Sequence, residues 1–100
     1  TRAREWNPDG PPLSAEFAVI ELAGEVGELC NAVKKHLRFV RGLRGGANDP
    51  QNLADELADV VICADLLARK LGIDLGDAVV AKFNATSEKY QFETRLGGGC

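Results

Sequence analysis

The sequence lacks several features that would point to common classes of function. Its 12 basic and 15 acidic residues give a net charge of -3, so no positive field exists to gather a nucleic-acid polymer or an anionic membrane. No apolar run approaches the ~20 residues that span a bilayer, and the first residues show no hydrophobic core of a signal peptide. We therefore expect a cytoplasmic protein that binds neither nucleic-acid polymers nor membranes.

Cysteine is scarce and scattered. The three cysteines, Cys30, Cys63 and Cys100, form no CxxC pair. Two of them fall within an apolar helical pattern, which predicts reduced and buried thiols at Cys30 and Cys63. Cys100 follows three glycines at the end of the chain, where fraying is expected, and we assign it no role.

Helical periodicity is the strongest pattern that the sequence does contain. Apolar residues recur at helical spacing over residues 15–40 and again over residues 50–71, and a third helix is predicted over residues 75–90. No alternation of strands with helices and no Gly-rich phosphate loop interrupts this pattern. The sequence therefore predicts an all-α fold, an antiparallel bundle of two long helices and one or two shorter ones.

The length of the chain limits the core that it can bury. We expect 100 residues to form a single domain, residues 1–100, that is completed by oligomerisation. Within it, the prolines of residues 1–13 predict an irregular lead-in, and the glycines of residues 96–100 predict a flexible tail. Trp6 in the lead-in is either a cap on the apolar edge of the bundle or a surface on which a base stacks.

Acidic residues recur at helical spacing inside the two long helices. Glu21, Glu25 and Glu28 fall within one stripe roughly 60° wide, and Glu56 and Asp59 form a second pair. Like charges at these spacings cost an isolated helix roughly 0.2–0.5 kcal/mol per pair, so their repetition indicates a counter-charge. Because both sets border an apolar stripe, antiparallel packing predicts a carboxylate site at the edge of the core.

The residue types in this acidic set favour one kind of metal. Ligand sets made only of oxygen select hard cations, and Mg²⁺ is usually held by a few carboxylates, waters and substrate phosphates. His36, the single histidine, lies ~16 Å along the helix from Glu25 and cannot complete an ExxH di-iron constellation. We therefore expect a magnesium site and disfavour a di-iron oxidase.

With ExxE in one helix and ExxD in the next, the chain resembles the MazG-like all-α nucleoside triphosphate pyrophosphohydrolases, a group related to the dimeric dUTPases. The resemblance covers most of the chain. It takes in Glu25 and Glu28 in ELAGEVGEL, Glu56 and Asp59 in DELADVV, and the downstream segment KFNATSEKY. The N-terminal segment RAREW is also similar to this group, in which an aromatic residue near this point can lie close to the base.

The resemblance implies Mg²⁺-dependent hydrolysis of a nucleoside triphosphate between its α and β phosphates, which gives the monophosphate and pyrophosphate. Mn²⁺ is expected to substitute for Mg²⁺. The motif positions Glu25, Glu28, Glu56 and Asp59 would hold the metal, and Glu25 or Glu28 would also orient or deprotonate the attacking water. Glu21, one turn earlier in the same stripe, would be an auxiliary residue.

The resemblance also suggests where the substrate binds and how the chain assembles. The candidates for contacts with phosphate, sugar or base are Lys82, Asn84, Lys89, Arg95 and Trp6. A solvated helix end is the alternative for the first four. Family members associate as dimers or tetramers, so we expect a homodimer or homotetramer that cleans the nucleotide pool, with the preferred base left open.

A second class of function fits the same residues. A small non-catalytic helical module for interaction or regulation would use the acidic stripe to meet a basic partner. Replacing Glu28 or Asp59 by alanine separates the two hypotheses. The enzyme would lose Mg²⁺ binding and keep its fold, whereas the module would keep its metal response and change its affinity for the partner.

Overall fold

The computed structural model describes residues 14–97, most of which lie in three α-helices. These are α1 (Ala15–Val40), α2 (Pro50–Lys70) and α3 (Leu75–Lys89). No strand occurs within the described residues, so the predicted all-α fold is confirmed. None of the three helices is long and apolar enough to cross a membrane. The predictions for the lead-in, Trp6 and Cys100 lie outside the described residues.

Each helix begins at a residue whose side chain caps it. The Ser14 hydroxyl accepts a hydrogen bond from the backbone N–H of Phe17 at 3.1 Å. The Asp49 and Asp74 carboxylates accept in the same way at the starts of α2 and α3. Each cap satisfies a backbone donor that the helix end leaves free and contributes about 1 kcal/mol.

The connection between α1 and α2 turns through glycines. Gly42 has φ 69° and Gly45 has φ 77°, values in the left-handed region that side chains with a Cβ rarely adopt. Gly46 is constrained differently, because an added Cβ would collide with the backbone of Phe39. The connection therefore folds closely against the end of α1, and α2 returns antiparallel to it.

α1 packs along α2 through a seam that combines small, polar and large apolar residues. The buried and half-buried residues of α1 recur at spacings of three and four, which marks one helix face. They include Ala15, Ala18, Leu22, Glu25, Leu29, Ala32 and His36. The matching face of α2 carries Leu53, Glu56, Val60, Cys63 and Leu67. Glu25 and Glu56 thus lie within the seam itself.

Four large apolar residues of α1 face away from α2, whereas Leu22 and Leu29 lie in the seam. Val19, Val26, Val33 and Leu37, which we call the apolar stripe of α1, are between 40% and 50% exposed. Within residues 14–97, the buried apolar side chains are three alanines, Ala18, Ala32 and Ala68. The buried face of α1 is therefore rotated by about 60° from its apolar stripe. Small residues let the two helices approach closely, and the valines remain outside.

The two described cysteines are free and lie on different faces. Cys63 is half-buried in the seam, whereas Cys30 is exposed. The prediction of a buried thiol is therefore wrong for Cys30. The physical reason is the same rotation of α1, because Cys30 shares the outward side with the apolar stripe.

α3 contacts α2 and, among the three described helices, makes no contact with α1. An apolar groove of about 740 Å³ lies between α2 and α3. After α3 the chain turns back, and the N–H of Phe92 donates to the carbonyl of Ser87 at 2.7 Å. α3 and the segment that follows it thus form a small unit attached to α2.

Candidate metal centre

Three carboxylates from α1 and α2 meet in the seam. One oxygen from each of Glu25, Glu56 and Asp59 lies within 4.8 Å of the other two, and we call these residues the carboxylate cluster. Glu56 and Asp59 share a face of α2 because residues three apart lie one above the other. Antiparallel packing places Glu25 of α1 opposite them. The structure therefore brings together three of the four residues that were predicted to hold a metal.

Glu28 lies beside the carboxylate cluster and outside its group of three oxygens. Its side chain is exposed, and its carboxyl group lies close enough to Glu56 to help raise the pKa of that residue. The role of Glu28 as a fourth ligand stays a prediction.

Two oxygens of the carboxylate cluster are buried without a partner. Glu25 Oε2 and Glu56 Oε2 receive no hydrogen bond from any residue in the range 14–97. A buried polar atom left unpaired costs about 1–3 kcal/mol. Within residues 14–97 there is one ion pair, between Arg69 and Asp65. No cationic side chain in this range therefore forms an ion pair with the cluster. A cation would satisfy both oxygens, and a donor set made only of oxygen fits Mg²⁺.

The surroundings raise the pKa of two carboxyl groups in the cluster. For Glu25 the pKa is raised first by burial and then by the negative charges of Glu28, Asp59 and Glu21. For Glu56 the pKa is again raised first by burial, then by the charges of Glu28, Glu25 and Asp59 and by the hydrogen bond with Glu28. Desolvation and like charge both disfavour the ionised form. Glu25 and Glu56 therefore hold their protons to higher pH in the metal-free folded protein than in the unfolded chain.

We expect the metal-free protein to be more stable at mildly acidic pH than at neutral pH. Because the pKa values of Glu25 and Glu56 are raised on folding, the folded state binds more protons between the ordinary and the raised values. The free energy of unfolding then decreases as pH rises through that window. Saturating Mg²⁺ should oppose this decrease, because a metal displaces the protons.

Thermal denaturation over a pH series, with EDTA or with Mg²⁺, measures this linkage. Glu56→Gln should flatten the slope in EDTA, since the substituted side chain cannot titrate. A metal-free Tm that rises steadily from mildly acidic to neutral pH would contradict the raised pKa values.

Cys63 is a neighbour of the site for which the sequence suggested no role. It follows Asp59 by one turn, and the pKa of its thiol is raised by burial and by the charges of Glu25, Glu21 and Asp59. A protonated thiol is a poor metal ligand, which leaves the site to oxygen. The four-residue spacing from Asp59 is the signal that could have located Cys63.

Glu21 is not one of the three residues of the carboxylate cluster. Its negative charge nevertheless helps to raise the pKa of Glu25.

Four of the predicted substrate-binding residues lie outside the two helices that hold the carboxylate cluster. Lys82, Asn84 and Lys89 are on α3, and Arg95 is in the segment after it. α3 makes no contact with α1, the helix that carries Glu25. Their role in substrate binding stays a prediction.

Two of the predicted cations make local contacts. The ammonium of Lys89 lies 5.4 Å from the ring centre of Tyr90, within range of a cation–π interaction. The Arg95 guanidinium donates to the carbonyls of Phe92 and Thr94. In this conformation the Arg95 side chain is directed to its own segment.

Asn84 holds the segment after α3 against the helix. The N–H of Leu96 donates to Asn84 Oδ1 at 2.8 Å, and Asn84 Nδ2 donates to the Leu96 carbonyl at 3.0 Å. Leu96 in turn lines the groove between α2 and α3. Both polar atoms of the Asn84 side chain are thus engaged, which leaves one N–H and one oxygen lone pair for a further contact.

We expect Asn84→Ala to release the segment around Leu96 and to leave the seam between α1 and α2 intact. Losing the paired hydrogen bonds should lower stability by about 1–2 kcal/mol. Amide hydrogen exchange at Leu96 should accelerate, while exchange within α1 stays unchanged. Asn31→Ala, a change of the same type at an exposed position of α1, is the control. Unaltered exchange at Leu96 would show that Asn84 does not hold the segment.

The fold and the site together define a class of protein. A pair of antiparallel helices holds an acidic cluster with unpaired, buried oxygens, as expected of an all-α metal-dependent protein. A family model described as MazG-like family matches residues 15–97, a range that contains all three helices. The chain belongs to the MazG-like family. A search of curated proteins and a search of solved structures found no significant match.

Family membership confirms the resemblance that the two acidic motifs suggested. The family is associated with nucleotide pyrophosphohydrolase-type activity and is typically metal-dependent. The carboxylate cluster agrees with that dependence, since it offers oxygen ligands from two helices.

Proposed function

We propose that this protein is a Mg²⁺-dependent nucleoside triphosphate pyrophosphohydrolase that releases the monophosphate and pyrophosphate. The observation that carries the proposal is the carboxylate cluster, in which oxygens of Glu25 and Glu56 are buried without a partner. Membership of the MazG-like family supports a nucleotide as the substrate. We place the activity in the cytoplasmic nucleotide pool, where it would remove unwanted nucleotides.

Glu25, Glu56 and Asp59 would hold the cation, and Glu28 is the candidate to complete the set. Mg²⁺, when bound, supplies positive charge against the triphosphate and lowers the pKa of water. Mn²⁺ would substitute, because it also favours carboxylate and water ligands. Because the carboxylates would hold the cation in the seam, the phosphates of the substrate would lie next to the seam.

The proton of the attacking water would pass to Glu25 or Glu28. Attack on phosphorus forms a new P–O bond and breaks the bond to the oxygen that bridges the α and β phosphates. A general base should have a pKa near the working pH and lie within hydrogen-bonding reach. The pKa of Glu25 is raised, which is a shift in the direction that the first condition requires. Glu28 is exposed beside Glu56, so its carboxylate is open to solvent.

We further propose that the protein acts as a homodimer or homotetramer. Exposed large apolar side chains occur on all three helices, and Ile20 reaches 69% exposure. Where such side chains form a contiguous patch, they usually mark a protein interface. A second copy would cover the apolar stripe of α1. It would also place the basic side chains of its α3 near the carboxylate cluster of the first copy.

The alternative of an acidic face that meets a basic partner is less well supported. Glu25 and Glu56 are half-buried between α1 and α2, where a basic surface of another protein has little access. An acidic docking face would place such residues on the outside of the bundle.

A panel of common and modified nucleoside triphosphates, incubated with the purified protein with and without Mg²⁺, tests the proposal. We expect monophosphate and pyrophosphate, identified by ³¹P NMR, and only when Mg²⁺ or Mn²⁺ is present. Release of orthophosphate as the primary product would overturn the assigned bond cleavage. No product from any nucleotide would overturn the enzyme itself.

A further inference from the structure

The outward side of α1 carries opposite charges in its two halves. Glu16 lies in the first turn of the helix and Lys34 in its second half, and both side chains are exposed. Their separation in sequence is about five turns at 3.6 residues per turn, so both lie on one line along the helix, about 27 Å apart. This line runs beside the apolar stripe, about 60° around the helix from Val19 and Leu37.

Neither charge is neutralised within the part of the chain that the structure describes. The one ion pair among residues 14–97 joins Arg69 to Asp65, both on α2. The carboxylate of Glu16 and the ammonium of Lys34 are therefore available to a partner outside the described chain.

The second half of α1 also presents an apolar hollow on its outward side. The hollow has a volume of about 550 Å³, and Val33 and Leu37 contribute to its apolar lining. The charged residues that line it are Lys34, Arg38 and Arg41, and no carboxylate of the described residues is among them. Such a hollow is complementary to an apolar side chain that is accompanied by a negative charge.

The first half of the same helix offers this combination. Val19 and Ile20 are 50% and 69% exposed, and Glu16 lies about one turn before them. A two-fold symmetric interface uses the same patch of both copies, so a patch that is complementary to itself is required. Two α1 helices that run antiparallel satisfy this requirement. In a parallel pair, Glu16 would face Glu16 of the second copy and Lys34 would face Lys34, and these like charges would repel.

The middle of α1 allows a second helix to approach closely. Ala23 and Gly27 lie there, on the side that also carries Glu16 and Lys34. Glycine weakens a helix interior relative to alanine. A Cβ added to Gly27 would meet no atom within 4 Å, so contacts within residues 14–97 do not require glycine at this position. A second helix packed across the middle of α1 would require it.

We propose that two copies of this chain pair through antiparallel α1 helices, with Glu16 of each copy bonded to Lys34 of the other. Val19 of each copy then packs into the apolar hollow of the other. The inference rests on the proposed function, of which self-association is a part, and it specifies the direction and register of the two helices.

Reversal of the two charges tests this pairing. Sedimentation equilibrium without nucleotide measures the dissociation constant of the assembly. Glu16→Lys and Lys34→Glu each place like charges opposite one another at both ends of the helix pair, so each should raise that constant about tenfold. The variant that carries both changes restores opposite charges and should assemble about as well as the unchanged protein. A mixture of the two single variants should also assemble more tightly than either variant alone.

Lys35→Glu is the matched control, because it makes the same change of charge at an exposed position about 100° further around the helix. It should leave the dissociation constant unchanged. Glu16→Lys also places a positive charge at the start of α1, where it opposes the helix dipole. The doubly substituted variant retains that cost, so its recovery of assembly would come from the restored pairing.

The outcomes separate this inference from the proposed hydrolysis. If the unchanged protein assembles but the double variant stays as weak as the single ones, or Lys35→Glu weakens assembly as much as Lys34→Glu, the antiparallel pairing is overturned. An unchanged protein that stays monomeric would overturn the proposed assembly together with the pairing. Pyrophosphate release, measured separately on the unchanged protein, tests the hydrolysis whatever the result for assembly.

Discussion

Glu56→Gln is expected to abolish Mg²⁺-dependent hydrolysis and, at the same time, to preserve or increase the stability of the metal-free protein. Glu56 lies in the seam, where burial and the charges of Glu28, Glu25 and Asp59 raise its pKa. Glutamine keeps the shape of the side chain and removes the charge, so the repulsion with its neighbours disappears. The same change removes an anionic ligand from the cation.

The expected loss in kcat/KM is about 10³-fold or more, which corresponds to at least ~4 kcal/mol of transition-state stabilisation. In EDTA the Tm should stay the same or rise. Added Mg²⁺ should raise the Tm of the unchanged protein and not that of the variant, because a ligand stabilises only the state that binds it. Pyrophosphate release and thermal denaturation measure the two effects.

Glu88→Gln is the matched control, the same substitution at an exposed position of α3 outside the carboxylate cluster. It should change neither activity nor the response of the Tm to Mg²⁺. A Glu56→Gln protein that loses stability in EDTA and still hydrolyses nucleotide would mark Glu56 as a structural residue. The proposed metal centre would then have to be abandoned.

Val33→Lys is expected to convert the proposed homodimer or homotetramer into monomers. Loss of the assembly should in turn reduce the hydrolytic activity. Val33 belongs to the apolar stripe of α1, is 40% exposed in one chain and faces away from α2. A lysine there leaves the seam undisturbed. Buried in an interface without a partner, its ammonium group would cost several kcal/mol.

Light scattering coupled to size-exclusion chromatography measures this change, and steady-state kinetics measures its consequence. If a second copy brings cations of α3 to the carboxylate cluster, kcat/KM should decrease as the assembly is lost. Asn31→Lys introduces the same charge on a different face of α1 and should leave the assembly intact. A Val33→Lys variant that assembles and hydrolyses normally would exclude this face as the interface.

The helices could be predicted from the sequence because their limits depend on local chemistry. The predicted ranges 15–40, 50–71 and 75–90 differ from the observed helices by at most one residue at an end. Ser14, Asp49 and Asp74 cap the starts, and Gly72 with φ 71° follows the end of α2. Each signal acts within one turn of the chain.

The packing face of α1 could not be predicted in the same way. Its periodicity marks a stripe through Val26 and Val33, whereas the seam runs through Glu25 and Ala32. Hydrophobic spacing shows that a face is apolar, but it does not say whether α2 or a second copy covers that face. The burial of Glu25 and the exposure of Cys30 both follow from this difference.

The site was predictable where it depends on helical spacing and unpredictable where it depends on tertiary contacts. Spacing and antiparallel packing bring Glu25 to Glu56 and Asp59. By contrast, the pairing of Asn84 with Leu96 joins positions separated by a turn of the chain, and no local pattern indicates it.

The most direct test of the metal centre is a crystal structure of the protein with Mn²⁺ and an α,β-methylene nucleoside triphosphate. Anomalous scattering would locate the manganese without reference to the surrounding density. We predict a peak at bonding distance from oxygens of Glu25, Glu56 and Asp59, beside the phosphates of the analogue. Manganese bound elsewhere, with these three carboxylates free of metal, would contradict the proposed centre.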